Sequence, residues 1–599
     1  MGFIAGWLAE SAESNQQNRP VESIKLSAPA SRQAHLTVDR GDAHGVLTDA
    51  RQTIERGSLI LAVSGYDYGE LDAMLDRYQA KGEQFIEDLR GAFTLALIDR
   101  AEQSLILATD RIGLANLYYA QTPNGIVFGS NADSVIAHPD VDAEISHQSL
   151  YDYVYYHHCP SPNTIYRQVK KLEGGQMLVY RNGTIRLRYY WLPAFSEGED
   201  YSLDKTGQAM RQMIVEAVRR QTGPAETTGA FLSGGLDSSS VAGALSIVYP
   251  GRAKTFTMGF PVDGYDEIEY ARMAVEHFKT TRFEYYVTPE DTVEAVPKIA
   301  AFYDEPFGNS SALAAYYCAK LAKDSGIEVM LAGDGGDELF AGNERYAKQL
   351  LFEQYYKIPG LVRQTLRAGL YGAPEALLKN KLLFKAKRYV EQAEIPLPDR
   401  LQDYNYLNRH PAEAIFGADF LQSVDVEQPI RILRDCYRRP ENASALNRML
   451  YMDWKTTLHD NDLVKVNRMC EMIGVEVRYP LLTDEIVDLS CRVPSNEKLK
   501  GQKLRWFYKQ AMRDFLPERI ITKSKHGFGL PFGIWLKDHQ PLKELAYDSI
   551  HALKRRDYFR GDFLDHAVEM HQSIHAAYYG ELIWILMMLE LWLQAKKVG

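Results

Sequence analysis

The decapeptide FLSGGLDSSS, Phe231–Ser240, ends one apolar run, GAFL, and opens onto another, VAGALSIVY. Gly234 and Gly235 let the backbone approach a ligand closely, and Ser233, Ser238 and Ser239 supply hydroxyls. A helix starting there directs its N-terminal amides at whatever the loop holds. The combination is an anion cradle at the end of a strand. It lacks the lysine and the GxxxxGK spacing of the usual phosphate loop. Asp237 is the odd member, because a carboxylate beside phosphates is repelled unless a divalent cation lies between them. The plainer alternative is a serine-glycine turn that caps a helix.

The surroundings repeat the pattern. AKTFTMGF, Ala253–Phe260, reads as a strand, and YDEIEYARMAVEHF, Tyr265–Phe278, as a helix. IEVMLAGDGGDELFAG, Ile327–Gly342, is an apolar strand ending in a glycine-rich acidic loop. Strand, loop and helix in alternation predict a parallel sheet covered by helices. Asp334, Asp337 and Glu338 crowd one turn, and like charges that close repel unless a cation or an ammonium-like group joins them. Asp337 is therefore a second candidate metal ligand, with Asp237 the first, placed to hold a divalent cation against bound phosphates. Asp334 is a candidate to accept a proton from a reacting group.

Upstream the rhythm is different. AFTLALIDR, SLILATD, GIVFGS and GQMLVYRNGTIRLRYYW are short strands separated by polar turns, and the Asn-Gly pair within RNGT, Arg181–Thr184, signals a tight hairpin. These predict an antiparallel sheet domain. Leu192–Lys205, rich in proline, glycine and acids, reads as a linker. The expected division is residues 1–191, a linker at 192–205, and residues 206–599, the last largely helical from about Tyr346 onward.

With 599 residues, 46% of them apolar, the chain can bury large cores and divide into at least two domains. A net charge of −11 argues against nucleic acid or a membrane surface as partner, since both are polyanionic. The opening MGFIAGWLAESAESNQ has neither a basic region nor a long apolar one, and no apolar run reaches membrane-spanning length, so a cytoplasmic location is expected. Cys159, Cys318, Cys436, Cys470 and Cys491 are scattered without CxxC spacing and read as reduced core thiols. His157 and His158 are adjacent and point different ways, which suits a packed domain interface better than a metal. The apolar YYGELIWILMMLELWL, Tyr578–Leu593, reads as a core helix interrupted by Glu581 and Glu590.

The SGG-D-SS arrangement resembles the pyrophosphate loop of N-type ATP pyrophosphatases. Nearly the whole chain resembles the class B asparagine synthetases and their relatives, which include β-lactam synthetases and lasso-peptide cyclases. The resemblance is carried by LRGAFTLALIDR, DRIGLANLYYA and FGSNADSVIAHPDV in the first part. In the second it is carried by FLSGGLDSSS, TFTMGF, LAGDGGDELFAGNERY, LVKVNRMCEMIGVEVRYPLL and KHGFGLPFGIWL. It implies an N-terminal antiparallel β-sandwich of Ntn-hydrolase type and a C-terminal parallel-sheet α/β ATP-pyrophosphatase domain with a large helical portion. It also implies that Ser233–Ser239 bind the phosphates of ATP, with Asp237 and Asp337 on Mg²⁺. Leu232, Met258 and Gly333 would surround adenine and ribose. Lys525 matches the lysine that stabilises departing pyrophosphate, and Asp334 stands where the family more often has glutamate. Asn467 stands where it usually has aspartate. Lys465 and Arg468 are each open to two readings, substrate contact or an ion pair within the fold.

Relatives that hydrolyse glutamine begin with a cysteine directly after the initiator methionine. Here the chain reads Met1, Gly2, Phe3, Ile4, and no thiol precedes Cys159. Thioester chemistry needs a strong nucleophile. The glutamine loop appears only as VSGYDYGEL, with Ser64 for its asparagine, and DRGDAHG is a distant echo of the other pocket segment. The expected activity is an ATP-dependent amide ligase. It activates a small-molecule or peptide carboxylate as an acyl-adenylate and passes it to ammonia or an amine, without glutamine hydrolysis of its own. The alternatives are a macrolactam cyclase or a β-lactam-synthetase-like ligase, with partner proteins if the substrate is a peptide, and a non-catalytic nucleotide-binding protein. A homodimer is left open.

Overall fold

The computed structural model describes residues 2–9, 23–24, 36–40, 44–49, 53–197, 201–372, 374, 379–402, 405–523, 529–573 and 576–598. The N-terminal part contains two six-stranded sheets in which every pairing is antiparallel. One runs, in spatial order, Lys170–Lys171, Tyr118–Thr122, Gly125–Gly129, Ile4–Ala9, His44–Asp49 and Leu36–Arg40. The other runs Thr184–Tyr189, Gln176–Arg181, Ser104–Thr109, Ala92–Asp99, Leu59–Tyr66 and Thr53–Arg56. Ile4, Leu8 and Phe128 of the first sheet pack on Ala96, Leu107 and Leu178 of the second, which makes a sandwich. Ala92–Asp99 is buried along its whole length because helix Leu71–Lys81 covers its outer face through Met74 and Leu75. In the Asn-Gly hairpin, Asn182 and Gly183 take φ of 48° and 73°, the left-handed pair that a two-residue turn matched to strand twist requires.

The second part is built on a five-stranded parallel sheet in the order Thr281–Tyr286, Lys254–Gly259, Thr228–Phe231, Val329–Leu331, Glu476–Arg478. The chain leaves the central strand Thr228–Phe231 in one direction to reach Lys254–Gly259 and returns on its other side as Val329–Leu331. That reversal opens a crevice at the carboxyl ends of the two strands, where ligands of such sheets bind. Both glycine-rich loops leave from those ends. Helix Leu203–Gln221 begins within the expected linker. The fifth strand, Glu476–Arg478, follows directly on helix Leu463–Ile473. Its three residues carry no periodicity of their own, and they are extended only because they pair with Val329–Leu331.

Helix Ala445–Asp453 continues without a break through a π-helical stretch, Trp454–Asp462, into helix Leu463–Ile473. The C-terminal helix Ala576–Ala595 packs on Pro289–Phe302, Phe532–Asp538, Gln540–Leu553 and Gly561–Ser573, and its Glu590 is buried against Arg556 at 2.6 Å. Among the described residues no helix is long and apolar enough to cross a membrane. All five cysteines are free and buried.

The two parts are tied by polar contacts. The Gly91 amide donates to Asp484 at 2.8 Å, Arg111 pairs with Asp484 and Asp488, and the Tyr479 amide donates to the Tyr66 hydroxyl at 3.0 Å. Tyr153 donates to the Ile585 carbonyl, and the Gly308 amide to that of His157, so the tyrosine-histidine segment lies between the parts. Burial pushes His157 and His158 down to about 4 and about 3, which keeps both neutral.

Candidate active site

The two loops meet over a cavity of about 520 Å³, a size that suits a nucleotide and a small substrate. Gly235 precedes helix Leu236–Val248, and among the described residues no side chain caps that helix, so its first amides remain available to an anion. Gly234 takes φ of 71°, a left-handed conformation that glycine adopts without strain. Gly333 is needed for a different reason. A Cβ there would lie 2.7 Å from the Ser238 nitrogen, so only glycine lets the second loop press against the start of the helix.

The predicted residues are largely together. Leu232, Ser233, Gly235, Asp237 and Ser238 line the cavity, as do Met258, Gly333, Asp334 and Asp337. The hydroxyls of Ser233 and Ser238 are 3.1 Å apart and each also engages backbone of the loop. Ser239 is fully buried behind the wall. Lys525 lies outside the described residues.

Asp237 and Asp337 approach a common point. Arg505 Nη1 donates to Asp237 Oδ2 at 2.7 Å and lies 2.9 Å from Asp337 Oδ1, so one oxygen of each carboxylate is within hydrogen-bonding distance of one cationic nitrogen. Among the described residues no three histidines, cysteines or acids gather into a set that would hold a metal by themselves. A pair of carboxylates beside an anion cradle is the donor set that fits Mg²⁺, which takes one or two protein oxygens and completes its shell with phosphates and water.

Asp334 is pushed up to about 6 by burial, opposed by the nearby Lys465 ammonium. Lys465 Nζ donates to Asp462 Oδ1 at 2.8 Å, and both residues line the cavity. Asp462 closes the π-helical stretch, whose wider turn resets which side chains of the following helix face the cavity. Lys465 therefore belongs to the site, whereas Arg468 turns away to Glu471 at 2.6 Å and to the Phe302 carbonyl at 2.9 Å. Asn467 bridges the two parts of the chain. Its Nδ2 donates to the Leu114 carbonyl at 2.7 Å while its Oδ1 accepts from Tyr479 at 2.8 Å. Aspartate has no donor for the first of these, which is a physical reason for asparagine here.

Two charged lining residues, Arg505 and Lys523, carry no motif in the sequence. Lys523 pairs with Glu267 at 3.0 Å and stands over the Tyr270 ring at 4.3 Å. Apolar wall is supplied by Phe256, Ala314, Ala315 and Cys318.

Comparison with known proteins agrees with this architecture. Residues 209–594 match the asparagine synthase family model, and residues 68–191 match a glutamine amidotransferase domain. Glutamine-hydrolyzing asparagine synthetase 1 of Bacillus subtilis is 26% identical over 538 residues, 89% of this chain and 82% of that protein. Glutamine-hydrolyzing asparagine synthetase 3 of the same organism is 22% identical, covering 76% and 70%. A Gibberella zeae protein named amidase chry2 is 23% identical, covering 85% and 80%. With more than half of its length matched by that family model, and with the two loops at the switch point of a parallel sheet, the chain belongs to the asparagine synthase family.

Proposed function

We propose that the protein is an AMP-forming amide ligase that draws its nitrogen from free ammonia or an amine. A substrate carboxylate oxygen attacks the α phosphorus of ATP, and the bond to the bridging oxygen breaks. Pyrophosphate leaves, and an acyl-adenylate remains. The amine then adds to the acyl carbon, Asp334 takes its proton, and AMP departs. Ser233, Ser238 and the free amides of helix Leu236–Val248 hold the phosphates; Leu232, Met258 and Gly333 enclose the nucleoside. Asp237 and Asp337 would hold Mg²⁺, which when bound would supply positive charge beside the pyrophosphate group. Lys525 is assigned the same task of meeting that charge, and Lys465 keeps Asp334 ionised. Residues 206–599 form the ligase unit and residues 1–191 an amidotransferase-like unit, with 192–205 between them.

The observation that carries the reading is the convergence of Asp237 and Asp337 on one cation beside the uncapped helix start. Loss of glutamine hydrolysis is supported by Ser64, which stands in place of the asparagine of the glutamine loop and whose hydroxyl donates to the Gly2 carbonyl at 2.7 Å.

Exchange of labelled pyrophosphate into ATP, screened over aspartate, other acids and peptides, tests the reading. Exchange with one of these, abolished in Asp237→Asn and in Asp337→Asn, is the expected result. Exchange that survives either substitution refutes it. With the active acid in hand, ammonium is expected to support AMP release, and glutamine to yield no glutamate.

A further inference from the structure

We propose that Arg505 is a resident counter-ion. It holds the Asp237–Asp337 pair while nucleotide is absent and cedes it to the divalent cation only when ATP brings phosphate oxygens that receive the guanidinium. The proposal rests on the reading of the two aspartates as metal ligands.

Position is the first argument. Arg505 Nη1 sits between the carboxylates, 2.7 Å from one and 2.9 Å from the other, where a bridging cation would be. A metal shared by those two oxygens and the guanidinium cannot occupy the same space. The second argument is incomplete satisfaction. Arg505 is only 8% exposed, yet its Nε is buried with no acceptor among the described residues. A guanidinium built only as a structural clamp would be expected to have its buried donors matched. Its planar fork suits a phosphate, which takes two parallel hydrogen bonds. Arg505 also lines the nucleotide cavity.

The backbone argues the same way. Arg505 adopts φ of 51°, and its amide donates to the Ala341 carbonyl at 3.2 Å, directly after the acidic loop's helix Gly336–Phe340. A non-glycine residue in the left-handed region is strained and is kept where the surroundings demand it. Here it delivers the side chain from the start of helix Trp506–Ala511 into the acidic pair.

The energetic consequence is coupling. Metal alone must displace a cation and leave both charges crowded beside one another. Metal together with a polyanionic nucleotide gives the displaced guanidinium a partner. Metal and nucleotide therefore strengthen each other's binding, and the coupling is reciprocal.

Mn²⁺ titration of the full-length protein, read by the electron paramagnetic resonance signal of free Mn²⁺, tests this without any turnover. In the absence of nucleotide, Arg505→Met is expected to bind Mn²⁺ at least tenfold more tightly than the wild type. ATP is expected to tighten Mn²⁺ binding at least tenfold in the wild type and much less in Arg505→Met. Equal Mn²⁺ affinity of wild type and Arg505→Met without nucleotide overturns the proposal. If Arg505→Met does not fold, Arg505→Gln takes its place, with the same expected and overturning results. The double variant Arg505→Met/Asp337→Asn separates the two ideas. Loss of the gained Mn²⁺ site there supports the metal assignment, whereas retention shows that the metal sits elsewhere and brings down the parent reading with the proposal.

Discussion

Replacing Asn467 by the aspartate usual in the family is expected to weaken the joint between the two parts of the protein. Asn467 uses both ends of its amide, donating to Leu114 at 2.7 Å and accepting from Tyr479 at 2.8 Å. Tyr479 is fully buried and its own amide donates to Tyr66, so it cannot follow a displaced partner. In Asn467→Asp the contact from Tyr479 survives, but a carboxylate oxygen faces the Leu114 carbonyl. Losing a donor to a buried acceptor costs about 1–3 kcal/mol. For a cooperative unit of about 150–250 residues each kcal/mol shifts Tm by about 2–4 °C, so a fall of about 4–8 °C is expected for the middle of that range.

The effect has a definite pH dependence. Charge on residue 467 is disfavoured in the folded state, so its folded pKa lies above the unfolded value of about 3.9. The protonated acid can donate to Leu114 as the amide does. Stability of the variant is therefore near that of the wild type below the unfolded pKa and is lost as pH rises through the folded one. Differential scanning fluorimetry of both proteins from about pH 4 to about pH 7 reads the gap in Tm, which should widen from the acid end and level above about pH 6. A gap that is absent, or constant with pH, refutes the assignment of the Leu114 hydrogen bond.

Other expectations concern the site. If Asp334 accepts the proton of the amine, the rate of amide formation should rise with pH through about 6 and then level, since only the ionised acid is a base. Asp334→Asn should cost about 10²–10⁴-fold and remove that limb, and a retained limb would show that another group titrates. Lys465→Met takes away the charge that holds Asp334 down, so the limb should move to higher pH; an unmoved limb contradicts the electrostatic influence of Lys465 on Asp334. Gly333→Ala should lower pyrophosphate exchange at least tenfold, because the added methyl meets the Ser238 nitrogen at 2.7 Å. Unchanged exchange would show that the loops part freely.

The sequence alone carried the features that are local in the chain. Glycines, hydroxyls and acids at fixed spacing after an apolar run mark a strand, a ligand-binding turn and a helix start, because each constraint acts within about ten residues. The antiparallel character of the first part and the buried C-terminal helix were legible for the same reason. Tertiary structure decided what depends on distant partners. Arg505 reaches Asp237 across 268 positions of sequence, and no local pattern distinguishes it from a surface arginine. Glu476–Arg478 is a strand because Val329–Leu331 is beside it. Lys465 faces the cavity, whereas Arg468 turns to Glu471 and to the Phe302 carbonyl, a division set by neighbours that only folding supplies. The role of Asn467 likewise required the Leu114 carbonyl, 353 residues away, to be brought against it. Chain connectivity is short-ranged, whereas a binding site is closed by groups that only folding makes neighbours.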